Sequence, residues 1–303
     1  MTNKPTVTIG IPAHNEEQNI ALLLRDLLSQ NQSRFSFDRI IVINDGSTDK
    51  TSQEVKNAAD SSLINLIEHK ERLGIARTAN ELFEKSEADI LVFLNADVSV
   101  PDSGFIEKIT APIVEGRADL TSGMLEEIPP KTLIEKILQS SMDCKKNAFI
   151  NYNHGNNLYT CHGPMRAFSK RLYKKMRFNR NIADDMYSYF FAKKCGLAYA
   201  FVPEAVAYYK LPDTLGDHIR QSIRFFKSPN AVRQEFSKEL VKTHSEFPKS
   251  ALLKSAIREF TRHPLLFSLY IPLAIITKII SLFKPIEKIE KEWGSAPSSK
   301  NLH

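Results

Sequence analysis

The first hundred residues repeat one pattern, and this pattern constrains the fold more than any other feature of the sequence. Short apolar runs occur at residues 7–11, 39–43, 63–67 and 91–94, and each is followed by a polar loop. After the first three loops, apolar residues recur at helical spacing. Continuous apolar runs of this length are typical of parallel strands that are buried on both faces. The sequence therefore predicts an α/β fold with a mainly parallel sheet and helical crossovers.

Polar clusters follow three of these predicted strands, at residues 12–16, 44–49 and 95–97. The carboxyl ends of parallel strands meet at one edge of an open sheet, and ligands bind at that edge. Asp97 follows an apolar run, and a buried carboxylate needs a partner. One such partner is a divalent cation that bridges to phosphate, because Mg²⁺ is often held by one or two carboxylates plus substrate phosphates. An aspartate that caps the turn after the strand is the alternative.

Composition and motifs exclude several classes of protein. The three cysteines contain no C-x-x-C pair, which argues against a disulfide framework or a zinc site. Neither a G-x-G-x-x-G fingerprint nor a P-loop motif occurs. The net charge of +6 fits an anionic ligand or an anionic membrane surface and does not require nucleic acid. A predicted strand begins near the first residue, so we expect no signal peptide and a cytoplasmic location.

The C-terminal part of the chain predicts a separate helical extension. Pro264–Phe283 is almost entirely apolar, and basic residues flank it on both sides. Its length is borderline for a membrane span, and the flanks suit an interfacial or re-entrant helix on an anionic leaflet. A buried core or dimer helix is the alternative. The predicted organisation is a catalytic domain at 1–228, a membrane-associated helical extension at 229–292 and a disordered tail at 293–303.

Five ordered elements of the sequence resemble the family 2 glycosyltransferases of the GT-A fold. They lie at residues 11–16, 42–49, 74–80, 95–97 and 183–185, and the resemblance covers most of the chain. It implies a mixed, mainly parallel Rossmann-like sheet flanked by helices. It also implies inverting transfer of the hexosyltransferase type, from a nucleotide-diphospho-sugar to a hydroxyl acceptor, with Mg²⁺ or Mn²⁺ as cofactor. The pathway implied is cell-surface glycan or lipid-linked oligosaccharide synthesis, at the inner face of the cell membrane.

The resemblance also assigns roles to individual residues. Asp185 would be the general base on the acceptor, with Asp184 beside it, and Asp97 would hold the metal. Arg77 would neutralise the donor, with Arg72 as the nearby alternative. The full nucleotide-sugar site would comprise Pro12, Ala13, His14, Glu16, Asp45, Arg77, Asn95, Ala96 and Asp97. The acceptor side would comprise His162, Gly163, Gln221 and Arg224.

Three positions depart from the pattern of the family. Asn95 replaces the first Asp of the usual D-x-D element, Asp184 replaces Glu, and Phe225 replaces Trp in a Q-x-x-R-W element. Two acidic residues in a first helical turn also suit the helix dipole, which is a structural alternative for Asp184 and Asp185. Two other functions stay open. One is a polyprenyl-phosphate sugar transferase, whose phosphate acceptor needs little deprotonation. The other is a catalytically weak subunit that binds nucleotide-sugar.

Overall fold

A seven-stranded mixed sheet forms the centre of the protein. The computed structural model describes residues 4–58, 62–179, 183–284 and 297–302. The order of the strands across the sheet is β3-β2-β1-β4-β6-β5-β7. The strands are β1 (Thr6–Ala13), β2 (Ser36–Asn44), β3 (Ile64–Glu68), β4 (Ile90–Leu94), β5 (Leu120–Glu127), β6 (Met165–Ser169) and β7 (Tyr199–Tyr209).

Helices cover both faces of this sheet. Successive side chains of a strand point to opposite faces, so Ile41 and Ile43 of β2 enter one core while Ile40 and Val42 enter the other. The helices are α1 (Ile20–Leu28), α2 (Thr51–Ala58), α3 (Ile75–Lys85), α4 (Phe105–Val114), α5 (Leu133–Asn151), α6 (Lys170–Tyr173), α7 (Asp184–Lys194), α8 (Leu215–Glu235), α9 (Lys238–Ser245), α10 (Lys249–Arg262) and α11 (Pro264–Phe283).

The pairing of the strands decides which loops share an edge. β1 lies parallel to both β2 and β4, so the loops that follow these three strands meet, as the sequence predicts. β6 runs antiparallel to β4, and the residues before β6 therefore join the same edge. The Asn95 N–H donates a hydrogen bond of 2.9 Å to the Pro164 carbonyl across this junction. His162 and Gly163 are thereby brought to the turn that carries Asp97.

One predicted strand boundary differs from the structure. β1 continues to Ala13, so Pro12 and Ala13 end the strand and do not belong to the loop. β7 is continuous over Tyr199–Tyr209. The register against β5 shifts between Gly123 and Met124, which accommodates the extra residues as a bulge. A Cβ on Gly123 would lie 2.1 Å from the Ala205 carbonyl oxygen, so this close approach requires glycine.

The C-terminal extension begins inside a helix. α8 runs through the predicted domain boundary at 228–229, and α10 and α11 pack against α5, with α11 also against α8. Within the predicted tail, residues 297–302 form hydrogen bonds with Asp217 of α8 and with Asn19 before α1. The rest of the predicted tail (293–296 and 303) and residues 285–292 lie outside the described residues.

Candidate active site

Asp45 at the end of β2 fixes the next loop along the sheet edge. Its carboxylate accepts hydrogen bonds of 2.8 Å from the backbone N–H groups of Leu73 and Gly74, and a third of 2.8 Å joins it to Nδ1 of His69. A carboxylate has about four acceptor positions, so most of this capacity already serves the loop at 69–74. Asp45 thus holds this loop in place, and its place in the nucleotide-sugar site stays a prediction.

The polar loop after β1 is tied to the loop after β2. Nδ1 of His14 lies 2.7 Å from the Asp45 carbonyl oxygen. The side-chain oxygen of Asn15 accepts a hydrogen bond of 2.8 Å from the Thr48 N–H. The Glu16 N–H donates to Oγ1 of Thr51 at 2.8 Å. These contacts bring the first two polar clusters together, and the predicted residues Pro12, Ala13, His14 and Glu16 lie in one continuous segment there.

The buried carboxylate of Glu16 and the half-buried carboxylate of Asp97 interact with each other and with two cations. Burial raises the pKa of Glu16 to about 7, and the negative charge of Asp97 adds to this effect. Burial also raises the pKa of Asp97, whereas the positive charges of Lys300 and Arg224 lower it. Lys300 Nζ lies 2.6 Å from Oε1 of Glu16. The turn Asn95–Ala96–Asp97 thus adjoins the loop after β1, as predicted.

Asp97 fits a metal site in which phosphate oxygens of the donor supply further ligands. Within residues 4–58, 62–179, 183–284 and 297–302, no group of three His, Cys, Asp or Glu side chains could hold a metal ion alone. One carboxylate plus substrate phosphate oxygens is a common arrangement for Mg²⁺, which keeps some of its water ligands. Burial raises the pKa of the Asp97 carboxyl, and a cation bound to the carboxylate would stabilise its charged form.

The two candidate arginines occupy different positions. Both side chains are exposed, and Arg77 lies on α3. Arg72 lies in the loop that Asp45 holds, and its charge reaches His14: burial lowers the pKa of His14, and Arg72 lowers it further. Burial also lowers the pKa of Arg72, while Asp45 acts in the opposite direction. The geometry therefore favours Arg72, the alternative, as the cation beside the nucleotide loop.

On the acceptor side, Asp184 is the counter-ion of a buried arginine. Arg166, on β6, is fully buried and forms an ion pair with the Asp184 carboxylate. Its Nη1 also donates to the Asp184 carbonyl at 2.8 Å and to Oγ of Ser188 at 2.7 Å. The guanidinium carbon lies 5.1 Å from the centre of the Phe93 ring. Asp184 therefore anchors the first turn of α7 and positions its neighbour.

Asp185 is the carboxylate that faces the junction before β6. A Cβ built on Gly163 would lie 3.8 Å from Oδ2 of Asp185, so Gly163 is a direct neighbour of this carboxylate. Burial raises the pKa of Asp185 to about 6, and the charge of Asp184 adds to this effect while Arg166 opposes it. A carboxylate with this pKa is ionised at neutral pH and is more basic than an ordinary aspartate.

Arg224 connects the two sides of the site. Burial lowers the pKa of its guanidinium, and the charges of Asp184, Asp97 and Asp185 raise it. Gln221 lies half-buried three residues earlier on α8. The imidazole of His162 is kept neutral, because burial lowers its pKa to about 4. The backbone N–H of His162 donates to Oγ of Ser122 at 3.0 Å. The predicted donor and acceptor residues thus converge on one edge of the sheet.

Comparison with known proteins identifies the family. The family model for glycosyl transferase family 2 matches residues 8–177, more than half of the chain. The chain belongs to glycosyl transferase family 2. This membership confirms the enzyme class that the sequence resemblance implied. The match ends before Asp184, so Asp185 and Arg224 lie beyond the matched residues, whereas His162 and Gly163 lie within them.

Two curated relatives show how far the similarity extends. An N-acetylglucosaminyltransferase from Azorhizobium caulinodans is 24% identical over 243 residues, which cover 74% of this chain and 59% of the relative. An undecaprenyl-phosphate 4-deoxy-4-formamido-L-arabinose transferase from Shewanella sediminis is 28% identical over 153 residues, which cover 47% of this chain and 45% of the relative. The glycosyltransferase therefore spans less than two thirds of the length of these relatives.

A solved structure confirms the predicted GT-A fold. It is a mannosyltransferase from Pyrobaculum calidifontis in complex with GDP-Man and Mn²⁺. It superposes with a TM-score of 0.64 at 18% sequence identity, over 99% of this chain and 88% of that one. The similarity includes the C-terminal helices of the glycosyltransferase as well as its sheet.

The sequence did not identify Arg166 or Lys300 as residues of this site. Arg166 could have been found, because a charged residue inside the otherwise apolar start of a strand needs a buried partner. Lys300 carries no such signal, because it is one lysine in a polar segment far from the motifs. His69, which contacts both Asp45 and Glu81, lies in a loop without a recognised pattern.

Proposed function

We propose that the glycosyltransferase moves a sugar, with inversion, from a nucleotide-diphospho-sugar to an acceptor bound at Asp185. One observation carries the proposal: the Asn95 N–H donates to the Pro164 carbonyl, and the adjacent Gly163 is a direct neighbour of Asp185, so the turn that ends in Asp97 lies close to Asp185. Asp97 lies at the edge next to the nucleotide loop, and Asp185 faces Gly163. Donor and acceptor would therefore meet between β4 and α7.

The donor side would stabilise the leaving nucleoside diphosphate. A divalent cation, when bound, supplies positive charge to the departing phosphate oxygens. Asp97 would hold that cation, and Arg72 would add charge from the loop at 69–74. The Mn²⁺ in the mannosyltransferase complex supports the choice of cation. Groups that are fixed in place before the charge develops are the most effective stabilisers of a transition state.

The acceptor side would use a single base. Asp185, with its pKa near 6, can accept a proton from an attacking hydroxyl at neutral pH. Its neighbour Asp184 is held by Arg166 and is not available to attack the sugar. This arrangement supports one direct displacement, which inverts the anomeric centre, over a route through a covalent sugar–enzyme intermediate.

Replacement of Asp97 tests the donor site. We expect wild-type enzyme to release nucleoside diphosphate from at least one member of a panel of nucleotide-sugars with Mn²⁺. Asp97→Asn should lower that rate by about 100-fold, because it removes the charge that holds the cation. Asp102→Asn, in an exposed loop before α4, is the matched control and should leave the rate unchanged. Nucleotide binding without metal and without any donor turnover would instead support the non-enzyme alternative.

A phosphate acceptor is the second candidate. The relative from Shewanella sediminis is named as an undecaprenyl-phosphate transferase, and Arg224 lies beside Asp185 as a cation for such an acceptor. A phosphate oxygen needs little deprotonation, so Asp185 would matter much less for this reaction. The loss of transfer rate in Asp185→Asn, measured with a hydroxyl acceptor and with a phosphate acceptor, therefore distinguishes the two candidate functions.

We further propose that α10 and α11 contact an anionic membrane. α11 is long and apolar enough to cross a bilayer by length and composition alone. Its side chains face outwards, with Leu265 71% and Phe283 82% exposed. Basic residues of α10 lie on the approach to α11, which suits anionic lipid headgroups. They are Lys254, Arg258 and Arg262. α11 packs on α8, which carries Arg224, so a lipid-linked acceptor would reach the site from this surface.

Vesicle binding tests the membrane contact. Full-length enzyme should sediment with phosphatidylglycerol vesicles and much less with phosphatidylcholine vesicles. The double variant Leu265→Gln/Ile276→Gln should lower the partition coefficient by about 100-fold, because each buried apolar side chain contributes roughly 1.5–3 kcal/mol. Leu133→Gln, an exposed apolar position at the start of α5, serves as the control. Equal sedimentation of all variants would contradict the assignment of α11 to the bilayer.

A further inference from the structure

Residues 297–302, here called the C-terminal segment, cross from α8 to the nucleotide loop. At one end, the Ser298 N–H donates to Oδ2 of Asp217 at 2.9 Å. At the other end, the Asn19 side chain binds the segment on both sides: its amide donates to the Lys300 carbonyl, and its oxygen accepts from the Leu302 N–H at 3.3 Å. The segment is therefore attached to both the acceptor-side helix and the donor-side loop.

Lys300 fixes its ammonium group on the loop after β1. The Nζ atom lies 2.6 Å from Oε1 of Glu16 and 3.1 Å from the Asn15 carbonyl oxygen, and it also donates to the His14 carbonyl. An ammonium group has three donors, so all three are used. Only 17% of the side chain is exposed. Each acceptor belongs to the loop that would contact the nucleotide.

The charges around this ammonium group balance one another. Glu16 and Asp97, with Asp184 and Asp185 on the far side of the cluster, contribute four negative charges when all are ionised, and Lys300, Arg224, Arg72 and Arg166 contribute four positive charges. A divalent cation added alone would leave two excess positive charges in a buried place, where unbalanced charge is costly. A cation that arrives with a diphosphate keeps the site near neutral. The cluster therefore favours a metal–diphosphate pair over the bare metal.

We propose that Lys300 is a donor-binding residue: its ammonium contacts the diphosphate of the bound nucleotide-sugar and makes metal binding depend on the nucleotide. The inference rests on the donor site proposed above. The flexible four-carbon stem lets the ammonium exchange the Glu16 carboxylate for a phosphate oxygen without movement of the segment. The Asn19 and Asp217 contacts hold the backbone in place during this exchange.

Two simpler roles of Lys300 predict different changes in metal and nucleotide binding when this lysine is lost. If Lys300 only held the segment in place, its loss would weaken metal and nucleotide binding together or change neither. If it only blocked the site, its loss would strengthen nucleotide binding. A diphosphate contact that also repels bare metal predicts opposite changes: weaker nucleotide binding and stronger binding of metal alone.

Calorimetric titration of the full chain distinguishes these roles. The probes are Mn²⁺ alone, and UDP, GDP, ADP, CDP and dTDP each in the presence of Mn²⁺. For Lys300→Gln we expect about tenfold weaker binding of the preferred nucleoside diphosphate, because a hydrogen bond between two charged groups is lost. Binding of Mn²⁺ alone should become severalfold tighter. Lys300→Arg should restore nucleotide binding, since it keeps the charge.

The control is Lys242→Gln, which makes the same charge change on the exposed face of α9. It should match the wild type with every probe. Nucleotide binding by Lys300→Gln that equals or exceeds the wild type would overturn the inference, and so would a parallel loss of Mn²⁺ binding. If the wild type binds no nucleoside diphosphate with Mn²⁺, the donor site itself is wrong. Wild-type binding with an unaffected Lys300→Gln variant overturns only the role of Lys300.

Discussion

Asp185→Asn should lower kcat for transfer to a hydroxyl acceptor by about 10³-fold while nucleotide binding stays within about twofold of the wild type. The amide keeps the size of the side chain but cannot accept a proton. In the proposed function, Asp97 and the loop after β1 hold the donor, so this carboxylate has no part in donor binding. The measurement is steady-state transfer at saturating donor, paired with calorimetric titration of the nucleoside diphosphate and Mn²⁺.

The dependence of the transfer rate on pH tests the role of Asp185 independently. Burial, with the charge of Asp184, raises the pKa of Asp185 to about 6, and the base must be ionised to act. The wild-type rate should therefore rise as the pH increases through about 6 and level off above it. Asp185→Asn should lose this acidic limb. Glu16→Gln is the control, because the pKa of Glu16, near 7, belongs to the donor side; this variant should retain the limb at about 6.

The acceptor decides how a mild effect is interpreted. Full hydroxyl transfer by Asp185→Asn would remove Asp185 from the role of base. A variant that fails with hydroxyl acceptors yet transfers well to a polyprenyl phosphate would support the second candidate function. In that case Arg224 becomes the residue to test, because it is the half-buried cation whose charge acts on Asp185.

Local pattern was sufficient to predict the sheet and the edge that carries the site. Apolar runs and polar loops alternate within short stretches of sequence, and the edge at which parallel strands end is a general property of such folds. The loops that carry Asp45 and Asp97 therefore share one sheet edge, and Asp185, far along the chain, lies beside Gly163 in the segment before β6. The antiparallel β6 contributed the rest by carrying Gly163 to Asp185.

Pairings between distant residues could not be predicted in the same way. Asp184 has the same sequence surroundings as Asp185, yet Arg166 binds one carboxylate and not the other. The choice depends on which side chain points inwards at the start of α7, where Ala183 has a left-handed conformation with φ of 58°. Lys300 reaches Glu16 only because the chain returns across α8. Neither contact leaves a periodic trace in the sequence.

Removal of the charge of Asp184 should lower the free energy of unfolding more than removal of the charge of an exposed acidic residue. Asp184→Asn leaves the fully buried Arg166 without its counter-ion, and breaking a buried pair in this way costs about 3–5 kcal/mol. Nε of Arg166 has no hydrogen-bond partner among the described residues, so the guanidinium depends on the groups at its other two nitrogens. Urea unfolding should show a lower midpoint at unchanged slope, and the product of slope and midpoint shift should equal this loss of free energy.

A double variant separates loss of the pair from loss of the buried charge balance. Arg166→Met/Asp184→Asn removes both charges and should recover most of the stability lost by Asp184→Asn, because a well-packed apolar replacement of a buried pair is close to neutral. Glu68→Gln, which breaks the half-exposed pair with Lys56, is the control and should change stability by less than about 1 kcal/mol. If Asp184→Asn keeps wild-type stability yet loses activity, Asp184 acts on the substrate and is not an anchor for α7. A third outcome is that Asp184→Asn lowers both stability and activity, and the double variant recovers stability but not activity. Asp184 and Arg166 would then act by positioning Asp185.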